Sequence, residues 1–262
     1  MGFLKKSRIP TPFSSGAAKT ALHKNLDFTS TEQYKVLRTN LRFTLPEGVK
    51  CPIIGITSSM RGEGKSTTAI NLSYVLAESG KKVLLIDGDL RIPSIAKKME
   101  INGDYGLTNY LMKTEIRPID SLKTDIHHNW YIMPSGELPP NPSELIGSRR
   151  MGVLLAAMSE EFDYIIVDLP PVNIVTDAMA ISEHITGLVV VVREGYTEKG
   201  EVERCFRQLK LSNVKVLGCV LNGAKHDGAS YGKYKKYKYY KYYNRYYTSR
   251  SSNNSSEKDK TE

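Results

Sequence analysis

The amino-acid sequence predicts an α/β fold: a doubly wound, mostly parallel sheet with helices on both faces, followed by a disordered C-terminal tail. Three observations carry this expectation. Short, almost continuously apolar runs alternate with stretches of helical periodicity at the spacing of strand–helix–strand units. A glycine-rich turn joins the first apolar run to a helical stretch. Beyond residue 225 the composition changes from that of a packed domain to a polar, tyrosine- and lysine-rich string. With 262 residues, 40% of them hydrophobic and 25% charged, the chain can bury the core of one large domain.

The elements follow in order. Residues 1–27 are rich in Pro, Ser, Gly and Lys and are expected to be a flexible segment. A helix is predicted over 29–43, where Tyr34, Leu37, Leu41 and Phe43 recur at roughly helical spacing. Thr29, Ser30 or Thr31 would cap it, with Glu32 in its first turn. Strands are predicted over 53–57, 83–87, 130–133, 164–168, 188–192 and 216–221. Four of them are nearly all apolar, as parallel strands covered on both faces must be. Helices are predicted over 66–79, closed by Gly80, and over 149–161 and 200–211. The folded domain is expected to span 28–225.

Composition excludes several classes. No apolar run approaches the ~18–20 residues that a membrane helix needs. The basic N-terminus lacks the apolar block of a secretory signal, and Lys6 stands where a myristoylation signal requires Ser or Thr. Cys51, Cys205 and Cys219 have no metal-like spacing and read as buried thiols of a reducing compartment.

The net charge of +9 is concentrated at the C-terminus, where residues 225–262 carry ten Lys/Arg against four Asp/Glu. Within 231–247 lie nine of the 16 tyrosines: Tyr231, Tyr234, Tyr237, Tyr239, Tyr240, Tyr242, Tyr243, Tyr246 and Tyr247. No aliphatic residue interrupts that segment, and no periodicity divides it into two faces. Residues 226–262 therefore cannot bury enough apolar surface to offset the entropy of ordering and are expected to be disordered. A string of this kind could also bind nucleic acid or anionic lipid, with tyrosine stacking on bases and lysine pairing with phosphate.

The turn after the first strand reads Ser59-Met60-Arg61-Gly62-Glu63-Gly64-Lys65-Ser66-Thr67. It matches the phosphate-loop pattern from the second glycine onward. Gly62 and Gly64 let backbone N–H groups converge on phosphate oxygens beside a positive helix end. Lys65 would reach the outer phosphates, and Ser66 would offer its hydroxyl to Mg²⁺. The pattern's first glycine is Ser59 here, so that corner of the loop is expected to adopt positive φ less readily. Two further strand ends carry acids: Asp87-Gly88-Asp89-Leu90-Arg91 and Asp168-Leu169-Pro170-Pro171. Ligands of open α/β sheets collect at the carboxyl ends of strands. Asp168 is thus a candidate Mg²⁺ ligand, direct or through another group, and Asp87 a candidate for the metal or for a base.

These three motifs, with the segment 138–145 (LPPNPSEL) and the terminal tyrosine cluster, resemble the bacterial tyrosine autokinases that regulate capsule and exopolysaccharide synthesis, in the form whose cytoplasmic kinase is a separate chain. The resemblance spans roughly 28–247. It implies a P-loop fold, ATP and Mg²⁺ as cofactors, and protein-tyrosine kinase activity on the chain's own C-terminal tyrosines. It also implies a membrane-embedded activator that recruits the cytoplasmic kinase to the inner face of the membrane, a cognate tyrosine phosphatase, and a ring-like homo-oligomer rather than a nucleic-acid partner. In that family oligomerisation is attributed to a Glu-x-x-Arg-x-x-Arg motif; this chain has Glu32, Lys35 and Arg38, so the first arginine's bidentate fork is absent. The alternative is a partition or cell-division ATPase, but Met60 occupies the position of those proteins' signature lysine.

The implied reaction moves the γ-phosphoryl of ATP to a tyrosine. Lys65 would stabilise the developing charge, and Asp87 or Asp89 would accept the phenol proton. Arg91 would orient those carboxylates or touch phosphate. Asn222, ending the last strand, is by resemblance an adenine contact and otherwise a turn residue. From Asn222 to Tyr247 the chain can extend at most ~80–90 Å, enough to reach its own cleft or a neighbour's.

Overall fold

The computed structural model describes residues 26, 28–112, 117–118 and 122–224. Apart from residue 26, the N-terminal segment named above lies outside the described residues, as does the tyrosine-rich tail.

The described residues form a seven-stranded sheet: β1 (Ile53–Ser58), β2 (Val83–Asp87), β3 (Lys123–His127), β4 (Trp130–Met133), β5 (Tyr164–Asp168), β6 (Gly187–Arg193) and β7 (Val216–Asn222). Their spatial order is β3-β4-β2-β5-β1-β6-β7. All neighbours pair in parallel except β3 and β4, which are antiparallel. All six predicted strands are present. The seventh, β3, was missed because Lys123-Thr124-Asp125-Ile126-His127 has no apolar run; pairing at the sheet edge needs none.

The helices are α1 (Phe28–Thr44), α2 (Lys65–Glu78), α3 (Ile95–Met99), α4 (Leu107–Met112), α5 (Pro142–Ile146), α6 (Arg149–Ser159), α7 (Asp177–Ala180) and α8 (Lys199–Leu211). The four longest match the predicted helices within two residues at each end. Gly80 closes α2 as expected, at φ 85, with Gly80 N–H donating to Ala77 O and Lys81 N–H to Leu76 O. Ser148 caps α6 by accepting the Met151 N–H at 3.2 Å. Two details of α1 differ from expectation. The helix starts one residue before Thr29, so the proposed caps lie inside its first turn, and Phe43 is 84% exposed while Leu41 is buried.

Alternate strand residues feed two cores. Ile54, Ile56, Val83, Leu85, Ile166, Val189 and Val191 face Leu41 of α1, Ile70, Leu72 and Leu76 of α2, and Ile95 and Met99 of α3. Leu84, Ile86, Ile165, Val167, Leu188 and Val190 face Met151, Leu154, Leu155 and Met158 of α6, and Cys205 and Leu209 of α8. The period-two alternation thus splits each apolar strand between two helical layers. Each fully buried aliphatic side chain contributes about 1.5–3 kcal/mol of transfer free energy.

Helix α2 is buried on nearly every side, because α1 covers the face turned away from the sheet. Arg38 Nη1 ties the two helices by donating to Val75 O at 2.8 Å. Cys51 and Cys205 are buried, and burial pushes both thiols up to about 12; Cys219, on edge strand β7, is exposed, contrary to expectation.

Candidate active site

The loop between β1 and α2 sits at the carboxyl end of β1, an interior strand with β5 and β6 on either side. Its positive-φ residues are Gly62 (82°) and Gly64 (99°), so Ser59 has no left-handed conformation to adopt. Its hydroxyl instead donates to Glu63 Oε1 at 2.8 Å, while Met60 N–H donates to Glu63 Oε2 at 2.8 Å. Thr197 Oγ1 hydrogen-bonds the same Oε1. The Glu63 carboxylate is fully buried and braces the loop from inside. The missing glycine is therefore replaced by a side-chain strut.

The loop's carbonyls are held from the far side. Tyr196 Oη donates to Arg61 O at 3.1 Å, Arg193 Nη1 to Gly62 O at 3.1 Å, and Asn222 Nδ2 to Glu63 O at 2.8 Å. In a trans peptide N–H and C=O point in opposite directions, so anchoring the carbonyls outward leaves N–H groups for a phosphate. Gly64 is required on two counts: its φ, and a Cβ there would lie 2.0 Å from Asn222 Nδ2. Asn222 thus appears in the structure as a loop anchor, at the end of β7 rather than in a turn. Arg193, Tyr196 and Thr197 had no signal in the sequence, since a polar stretch after a strand reads as an ordinary loop.

Lys65, the first residue of α2, reaches across to the strand ends. Its Nζ lies 2.9 Å from Asp89 Oδ2, 3.4 Å from Asp168 Oδ1 and 3.4 Å from Ser66 Oγ. Burial alone would lower its pKa, but Asp168 and Asp89 outweigh burial and hold it above 10.5. Asp87 and Asp168 are register partners across β2 and β5, and both are fully buried. Asp87 Oδ2 accepts the Ser94 N–H at 3.0 Å and the Ile95 N–H at 2.9 Å. Burial, then repulsion from Asp168, pushes Asp87 up to about 7. Burial likewise raises Asp168, against the pull of Lys65.

Asp87 Oδ1 and Asp168 Oδ2 are buried without a hydrogen-bond partner. Two orphaned carboxylate oxygens on register-paired strand ends, with the Ser66 hydroxyl against Asp168, fit Mg²⁺, which takes one or two carboxylates and completes its shell with water and phosphate oxygens. Among the described residues no set of three His, Cys, Asp or Glu side chains forms a metal cage by itself.

Arg91 does not meet the expectation that it orients Asp87 or Asp89 directly. It forks onto Asp177, Nε to Oδ2 and Nη2 to Oδ1, each at 3.2 Å, and Nη2 also donates to Ser143 Oγ at 2.7 Å. Neither Asp177 nor Ser143 was given a chemical role by the sequence. On α1, Glu32 Oε1 pairs with Lys35 Nζ at 2.8 Å, an exposed contact between neighbouring turns, while Arg38 is engaged with α2.

Residues 51–216 match the family described as AAA domain. The tyrosine-protein kinase YwqD of Bacillus subtilis is 37% identical over 196 residues, covering 75% of this chain and 82% of the relative. The tyrosine-protein kinase CpsD of Streptococcus agalactiae is 37% identical over 204 residues, covering 77% of this chain and 87% of the relative. The solved kinase domain of the Escherichia coli tyrosine kinase ETK has a TM-score of 0.74 at 29% identity, covering 86% of this chain and 87% of that one. The cell division ATPase MinD of Pyrococcus furiosus stands further off, with a TM-score of 0.56 at 26% identity over 67% of this chain and 74% of its own. Sequence identity above one third over three quarters of the chain, joined to this shared topology, means that the chain belongs to the bacterial tyrosine-protein kinases, built on an AAA-type domain.

Proposed function

We propose that this kinase transfers the γ-phosphoryl of ATP to tyrosines of its own segment 231–247, and thereby regulates synthesis and export of a capsular or extracellular polysaccharide. The observation that carries the chemistry is the convergence of Lys65 with Asp87, Asp89 and Asp168 at the head of the phosphate loop. Loop N–H groups and Lys65 bind and orient the β- and γ-phosphates. Mg²⁺, held by Ser66 with Asp168 and Asp87, supplies charge neutralisation for the phosphoryl oxygens.

A tyrosine hydroxyl, with a pKa near 10, is protonated at neutral pH. As its oxygen bonds to the γ-phosphorus, the bridging bond to the β-phosphate breaks, ADP leaves, and the phenol proton passes to a carboxylate. Asp89 suits that role better than Asp87. Asp87 is fully buried and its unpartnered oxygen is given to the metal, whereas Asp89, though it pairs with Lys65 and the Ile92 N–H, is 5% exposed.

The segment 231–247 interleaves lysines with tyrosines, which suits approach to a cleft of carboxylates and phosphates. Each phosphate adds about −1.5 to −2 charges, so about four would cancel the excess of six positive charges beyond residue 224. Loss of that charge would loosen a ring-like assembly in which Glu32, Lys35 and Arg38 contribute contacts. Among the described residues no helix is long and apolar enough to cross a membrane. A membrane-embedded activator that recruits the kinase and a cognate phosphatase complete the reading, on the strength of the family resemblance.

The test is to incubate the chain with magnesium and ATP, with and without an activator's cytoplasmic segment, and map phosphotyrosine by mass spectrometry. Phosphate on tyrosines of 231–247, absent in Lys65→Met, is expected. An unmodified tail under both conditions would refute the reading, and signal persisting in Lys65→Met would assign it to another kinase.

A further inference from the structure

The loops leaving three adjacent strands, β4, β2 and β5, are tied together at one point. Arg91 comes from the β2 exit, Ser143 from α5 after β4, and Asp177 from α7 after β5. Asp177 is fully buried, and both its oxygens are used: Oδ2 accepts from Arg91 Nε, and Oδ1 accepts from Arg91 Nη2 and from Ser143 Oγ at 2.6 Å. Ser143 closes the triangle by accepting from Arg91 Nη2. The planar guanidinium meets both carboxylate oxygens with two fixed donors and still serves the hydroxyl, a bidentate match that the compact ammonium of a lysine does not reproduce.

The consequence reaches the cleft along a short path. The next residue after Arg91 is Ile92, whose N–H donates to Asp89 Oδ1 at 3.0 Å; the other oxygen, Oδ2, pairs with Lys65. The β2 exit is pinned upstream as well, where Gly88 N–H donates to Asp168 O at 2.8 Å and Asp87 holds the Ser94 and Ile95 N–H groups. These bonds pin the backbone on both sides of Asp89, whose carboxylate faces Lys65 with one oxygen and the Ile92 N–H with the other.

We propose that Arg91, Ser143 and Asp177 form a positioning staple for phosphoryl transfer: the three side chains lock the β2 exit so that Asp89 is aimed at the incoming tyrosine hydroxyl. Arg91 therefore acts as a positioning residue, through Asp89, rather than on the phosphate. The staple also occupies the guanidinium charge with Asp177, leaving Lys65 as the cation that pairs with Asp89. This inference rests on the reading of Asp89 as proton acceptor, and the experiment separates the two.

Steady-state transfer is measured on the full chain for Arg91→Lys, Asp177→Asn and Ser143→Ala, each in the wild-type and the Asp89→Asn background, with thermal unfolding recorded for all. In the wild-type background kcat is expected to fall about tenfold or more for Arg91→Lys and Asp177→Asn and less for Ser143→Ala, since misplacing a reacting group by about 1 Å can cost ~100-fold. The KM for ATP should stay within about twofold, because the phosphate loop is untouched. In the Asp89→Asn background the same substitutions should add no further loss. Unchanged kcat in correctly folded variants, or an equal loss without Asp89, would overturn the staple. Ser143→Ala keeps the Arg91–Asp177 pair and so retains a folded test case if the other two unfold. Full activity of Asp89→Asn itself would instead overturn the assignment of the proton acceptor.

Discussion

Asp87→Asn is expected to make the nucleotide-free protein more stable in mildly alkaline solution while removing its activity. The carboxylate is fully buried, accepts two backbone N–H groups on Oδ2, and leaves Oδ1 without a partner. Burial first, and Asp168 second, moves its pKa from the ordinary 3.8 to about 7. Because the folded pKa lies above the unfolded one, the native state holds a proton that the unfolded chain releases. Stability from this group is thus complete below about pH 4 and falls as pH rises towards 7.

The full displacement corresponds to about 4 kcal/mol of destabilisation once the group is ionised. Asparagine carries no charge to bury, and its Oδ1 can accept the same N–H groups. The value of about 7 already includes the attraction to Lys65, so the linkage gives a gain of about 4 kcal/mol near pH 8.5 and about 1.5 kcal/mol near pH 5, each reduced by whatever the amide loses in packing. Urea unfolding of both proteins without nucleotide, at about pH 5 and about pH 8.5, measures the two differences. A difference that does not change with pH, or a variant less stable at the higher pH, would refute the reasoning. Magnesium and ATP should stabilise the wild type more than the variant, because the orphaned oxygen assigned to the metal is no longer part of a carboxylate.

Two further substitutions probe the loop's frame. Gly64→Ala forces a Cβ to 2.0 Å from Asn222 Nδ2 at φ 99°; a loss of about 1–3 kcal/mol in urea unfolding, with nucleotide binding weakened at least tenfold by calorimetry, is expected. Wild-type affinity in that variant would show that the left-handed turn is dispensable. Asn222→Ala removes the donor to Glu63 O, worth about 1 kcal/mol, so the Kd for ATP should rise about fivefold with kcat little changed; an unaltered Kd would mean that the loop is rigid without this anchor.

Much of this protein is legible in its residues taken one segment at a time. The apolar runs of β1, β2, β4, β5 and β6 and the periodicity of α1, α2, α6 and α8 identify themselves, because burial against packed neighbours demands such patterns; edge strand β7 shows an apolar run although most of it is not buried. The phosphate loop and the strand-end aspartates Asp87, Asp89 and Asp168 are likewise local: loop, lysine and acids each sit at a strand terminus that the pattern locates. What the tertiary structure alone decided is how those pieces constrain one another. Ser59 in place of glycine is resolved by a buried glutamate four residues on and a threonine from the β6–α8 loop. Arg91 turns away from the acids beside it in sequence and forks onto Asp177, 86 residues distant. Asn222 reaches Glu63 across 159 residues. Edge strand β3 exists by pairing rather than by composition. Hydrophobic burial has a period and so writes itself along the chain. Hydrogen bonds between polar side chains of distant loops have none, and they take their partners only once the sheet has brought the strand ends together.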